Sequence, residues 1–214
     1  MASTKPCYWC GGKASSVDHV PSKSIFPKTK RTNLITVPAC DAHNQQLATF
    51  DEKFRFYLQA RGTNPDALQE LKTTTYRGLT NPKAQGLAKG LAKGSVRINL
   101  GSAFTYALRI DPREQNLYFE KIIRGLYFHV VGRPAGGQAL SFSKDFMMPG
   151  LDYVELQKLL NEYLNDPNFM TEAQVANPDI FRFKYGRSQE GGHEIFIVAM
   201  LFYQGVEVIG WLHK

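Results

Sequence analysis

Apolar residues in the first sixty positions fall into short runs and then one helical stripe. Residues 7–12, with Cys7, Cys10 and two glycines, predict a tight knuckle, because glycine admits the turn conformations that close it. A short strand is expected over residues 17–20, stopped by Pro21, followed by a loop over 21–32 and a second β-leaning run over 34–37. Asp41 is a good N-cap for a helix reaching about Ala60, in which Leu47, Phe50, Phe54 and Leu58 fall at spacings of three and four. Residues 66–79 read as helical. Residues 85–94 repeat glycine, leucine, alanine and lysine, and are expected to form a flexible solvated linker or a marginal helix. Lys89 and Lys93 there either touch phosphates or face solvent.

The pattern changes after residue 95. Paired strands are expected over 96–100 and 104–110, and a long helix over 112–131 that starts on a proline. A further strand at 140–142 and a helix at 151–164 precede an antiparallel meander over 181–185, 194–202 and 206–212, with Gln204 and Gly205 at its last turn. The expected fold class is therefore α+β, divided into residues 1–62, a connector over 63–94, and an accessory domain over 95–214 with its own core.

Charge sharpens this division. The chain of 214 residues carries a net +7, with 15 Lys and Arg against 6 Asp and Glu in residues 1–99, and 11 against 13 in residues 100–214. A basic half joined to a slightly acidic half either meets a polyanion through the first or serves solubility. The longest apolar run, residues 195–203, is nine residues, far below the roughly 20 that a membrane-spanning helix needs. With a short polar start in place of a signal peptide, the chain reads as cytoplasmic, with no membrane partner.

All three cysteines, Cys7, Cys10 and Cys40, lie in the first fifth of the chain, which favours metal over a disulfide framework. Cys7-x2-Cys10 and Cys40-x2-His43 are two ligand pairs with the spacing that lets each pair converge on one ion, giving a Cys3His donor set of the structural zinc kind. His43 has a second reading, as part of a catalytic cluster. Asp18-His19 lies between the pairs, and Asn44 follows the second at once.

In order and spacing these residues resemble the HNH (ββα-metal) endonuclease family. The resemblance rests on Cys7-x2-Cys10, Asp18-His19-Val20-Pro21, Asn33-Leu34 and Cys40 through Asn44, and covers residues 5–55. It implies an N-terminal ββα-metal module with a structural zinc on Cys7, Cys10, Cys40 and His43. It also implies that His19 is the general base of phosphodiester hydrolysis, and that Asp18 and Asn44 are ligands of one catalytic Mg²⁺ or Mn²⁺. Asn33 would orient His19. The substrate would be nucleic acid, most readily DNA, gripped through its backbone by Lys23, Lys28, Lys30 and Arg31. Three departures stand out: His43 replaces a fourth cysteine, seven positions separate Asn33 from Cys40, more than the family spacing, and Gln45 stands where the family often has lysine. Read plainly, Asn33 is a turn residue, and Asp51-Glu52 is a solvated pair on the helix or a neighbour of the metal. The C-terminal region would serve oligomerisation, target selection or regulation. Two rival readings carry no catalysis: a zinc knuckle that only binds nucleic acid, and a zinc-stabilised platform for a protein partner.

Overall fold

The computed structural model describes residues 5–45, 48–81, 85–101, 103–143, 161, 163–190 and 192–213. The chain is α+β, and all its sheets are antiparallel. After the knuckle, β1 (Ser16–His19) pairs with β2 (Thr36–Ala39), with His19 opposite Thr36. The loop between them carries two single helical turns, Lys23–Ile25 and Lys28–Lys30, and its Val20–Pro21 peptide is cis. Helices α1 (Asp41–Gln45) and α2 (Ala48–Arg61) occupy the span expected as one helix. Phe54 and Leu58 are fully buried as the stripe requires, while Leu47 lies outside the described residues.

Helices α3 (Pro65–Glu70) and α4 (Tyr76–Thr80) flank one wider turn at Leu71–Thr75, so the expected helix over 66–79 is present. The glycine-rich repeat is not a loop: it forms α5 (Gln85–Gly94). Its Leu87 and Leu91 are four residues apart on one face, and both pack on the core. That burial offsets the roughly 1 kcal/mol that each glycine costs a helix.

Strands β3 (Ser95–Leu100) and β4 (Ala103–Leu108) form a separate hairpin. The long helix α6 (Pro112–Val131) matches its expected span, because both ends are chemically marked. Asp111 caps its first turn and Pro112 opens it, while Gly132 ends it in the left-handed conformation. The remaining strands, β5 (Gln138–Phe142), β6 (Thr171–Glu172), β7 (Phe181–Glu190), β8 (His193–Phe202) and β9 (Val206–His213), form one sheet in the order β5-β9-β8-β7-β6. Most of the helix expected over 151–164 lies outside the described residues.

α6 holds the molecule together. Every residue from Lys121 to Phe128 is buried, so the helix is covered on all sides, by the sheet and by the N-terminal elements. Tyr8, Val20, Ile25, Phe54, Phe119, Leu126, Phe202 and Tyr203 belong to a single hydrophobic core, which spans both sides of residue 95. Two glycines permit the close approaches. A Cβ on Gly125 of α6 would lie 2.5 Å from Val20, the residue after His19, and one on Gly205 would lie 2.6 Å from the Arg61 carbonyl. At the β8–β9 turn Tyr203 and Gln204 both adopt positive φ, and the buried Tyr203 hydroxyl donates to the Ile25 carbonyl. The last hairpin is thereby bonded to the loop beside β1. No helix among the described residues is long and apolar enough to cross a membrane.

Candidate active site and metal centre

The knuckle begins where the Cys7 amide donates to the Gly12 carbonyl and Gly11 takes a positive φ, which turns the chain so that Cys7 and Cys10 face one point. Cys40 directly follows β2 and His43 lies one helical turn later on α1. The ligand atoms of Cys7, Cys10, Cys40 and His43 all fall within 4.8 Å of one another. His43 Nδ1 is 3.1 Å from Cys40 Sγ and 3.7 Å from Cys7 Sγ. Zinc bond lengths put such donors about 3.6 Å apart around a tetrahedron, so this cluster fits the ion. Burial alone would raise the Cys7 thiol, yet backbone N–H groups of Cys10, Cys40 and Trp9 hold it below its ordinary value. Burial and then Arg124 lower His43, favouring the neutral ring that can coordinate metal. Its ring stacks on Trp9 at 5.2 Å, and the Arg124 guanidinium of α6 lies over that indole.

The next strand carries the proposed chemistry. His19 closes β1 and is half-buried. Burial lowers its pKa first, Lys23 and Arg31 lower it further, and Asp18 opposes them. The imidazole is consequently neutral at lower pH than a free histidine, which suits a proton acceptor near pH 7. Lys23 and Lys28 are exposed with no carboxylate partner among the described residues. Lys30 is held by Asp66 at 2.8 Å, and Arg31 donates through Nε to the Phe26 carbonyl.

Three other residues expected at the site have well-defined surroundings. Asn33 is exposed, has a φ of 54°, and makes no hydrogen bond to His19 among the described residues. It is a turn residue, as asparagine's tolerance of that conformation allows. Asn44 donates its amide to Ser16 Oγ at 3.0 Å, two positions before Asp18 on the same strand. Asp18 points inward and is buried. Its Oδ1 accepts from the His19 backbone N–H at 2.8 Å, and its Oδ2 lies 3.4 Å from the Tyr8 hydroxyl and 3.3 Å from Lys121 Nζ. Asp18 is thus bonded within the core, while Asn44, on α1, is bonded beside the start of β1.

Lys121 is the residue that sequence reasoning missed, and it meets Asp51, one of the carboxylate pair noted on the helix. Lys121 Nζ also lies 3.4 Å from Asp51 Oδ2, so one ammonium bridges carboxylates from β1 and α2. Asp51 is not a solvated residue. Burial raises its carboxyl, Lys121 opposes that rise, and its Oδ1 has no hydrogen-bond partner. A signal was available in the lysine that interrupts the apolar face of α6 between Tyr118, Ile122 and Gly125. No protein-family model, curated protein or solved structure matches this chain.

Proposed function

We propose that this chain is an HNH-type endonuclease that hydrolyses phosphodiester bonds in nucleic acid, most readily DNA. One observation carries the reading: a half-buried His19, its pKa lowered by burial, Lys23 and Arg31, ends a strand paired with the one that leads into the Cys3His cluster. His19 would take the proton of the attacking water. The two cations would bind the phosphate and offset the charge that develops on its oxygens. Zinc on Cys7, Cys10, Cys40 and His43 would hold the strand pair against α1 and supply no chemistry to the substrate. Lys28 would contact the backbone further along the duplex, giving binding that weakens steeply with salt.

Cleavage of supercoiled plasmid by the zinc-loaded protein, across a series of Mg²⁺ and Mn²⁺ concentrations, tests this. Wild type should nick or linearise the plasmid. His19→Ala should lose about 10²- to 10⁴-fold in rate, the range a general base supplies, with zinc content unchanged. The engagement of Asp18 by Lys121 favours a second reading, a module that binds nucleic acid without cutting it. Salt-sensitive binding by wild type with no cleavage at any metal concentration would establish that second reading and sink the first.

A further inference from the structure

We propose that Lys121 is the resident cation of the Asp18 carboxylate, held where a divalent ion would have to sit for Asp18 to bind it. Asp18 on this account is a positioning residue for His19 and ligates no metal. The inference rests on the nuclease reading only for what it says about His19; the charge arrangement stands without it.

Three observations support it. First, the ammonium comes from the middle of α6, the most enclosed helix, and only 2 % of the Lys121 side chain reaches solvent. It is fixed between Asp18 and Asp51 at 3.3 and 3.4 Å, and a lysine in that position cannot swing out to water without repacking the core. Second, both Asp18 oxygens are already occupied by Lys121, Tyr8 and the His19 amide. A divalent cation sharing Oδ2 would meet the ammonium at close range, and like charges there repel strongly. Third, Mg²⁺ and Mn²⁺ keep several waters when bound through one or two carboxylates. The space around Asp18 is instead filled by Tyr8, Lys121 and Asp51, all of them buried or nearly so.

The arrangement gives Asp18 a different task. Its Oδ1 accepts from the His19 N–H, so the end of β1 is fixed by a chain of contacts running from α6 through Lys121 and Asp18 to the His19 backbone. Gly125, one turn beyond Lys121, brings the same helix against Val20 on the other side of His19.

The test needs no cleavage, so its failure and that of the nuclease reading are separable. Mn²⁺ is titrated into the full-length, zinc-loaded protein, and free Mn²⁺ is followed by electron paramagnetic resonance for wild type, Asp18→Asn, Lys121→Ala and the double variant Lys121→Ala with Asp18→Asn. Wild type and Asp18→Asn should give the same isotherm. Lys121→Ala, which leaves two facing carboxylates without their cation, should gain one bound Mn²⁺, and the double variant should lose that gain. A wild-type site that Asp18→Asn abolishes overturns the proposal, and so does a folded Lys121→Ala that gains no ion. Should Lys121→Ala fail to fold, the comparison of wild type with Asp18→Asn decides alone.

Discussion

Two charged clusters flank β1, and they are built in opposite ways. The Cys3His cluster draws its four donors from two short segments, each spanning a single turn, lies partly at the surface, and presents ligand atoms spaced as a zinc site would need them. The Asp18–Lys121–Asp51 cluster draws its groups from three distant elements, is buried, and contains its own cation. Tyr8 joins them, since it follows the ligand Cys7 and donates from its hydroxyl to Asp18. The difference teaches where stability is conditional. On the zinc reading, one anchor depends on a metal; the other depends on the chain folding around α6.

Removing the ion should break the first anchor and have the largest effect. Cys7 and Tyr8 belong to the main core, so loss of zinc exposes buried apolar surface beyond the knuckle. Structural zinc contributes about 10–16 kcal/mol in small modules, enough to unfold this part of the chain. Strong chelation, or Cys40→Ser, should lower the midpoint of thermal unfolding sharply, and atomic absorption should find one zinc per chain in wild type only. An unchanged midpoint with full metal loss would refute the structural role.

Lys121→Met attacks the second anchor. Breaking a buried pair by deleting one partner costs about 3–5 kcal/mol, because the surviving charge stays buried. Urea denaturation should show a loss of that order, while Lys121→Met combined with Asp18→Asn and Asp51→Asn should recover most of it. A single variant as stable as wild type would mean that the two carboxylates do not depend on the ammonium.

Gly125→Ala should cost about 1–3 kcal/mol, the usual price of forcing extra volume into a packed core, because its Cβ would lie 2.5 Å from Val20. The smallest effect concerns pH. His19 is lowered by burial first and then by Lys23 and Arg31, so the acid limb of any cleavage should fall below the ordinary imidazole value of about 6.5. Lys23→Gln removes a cation that lowers His19 and should move that limb towards higher pH. The sign follows for stability as well: a histidine depressed in the fold stabilises above its unfolded pKa, and that contribution is lost as pH falls through its folded value.

The Cys3His cluster could be read in the sequence because its geometry is local. Cys7 with Cys10, and Cys40 with His43, are close along the chain, so spacing alone carries the information. The span of α6 was legible for a similar reason, since Asp111, Pro112 and Gly132 mark its ends. Lys121 meets Asp51 across 70 positions, and nothing local marks that encounter. Asp18 was visible as a residue, but its direction was not. A carboxylate beside a histidine looks the same in sequence whether it faces a metal or a lysine from another helix. The repeat in α5 misled because propensity was weighed without the core that Leu87 and Leu91 find only after folding.

The order in which a ribosome releases this chain gives the buried lysine a further consequence. The cysteines and His43 emerge before Lys121, so on the zinc reading their donor set could take up the ion before that lysine is made. Lys121 emerges much later, and Tyr203, which bonds to the loop beside β1, later still. A nascent chain would thus hold its metal early but leave Asp18 without its ammonium and His19 unfixed. On the reading proposed above, the nuclease site is complete only once the segment carrying Tyr203 has been made.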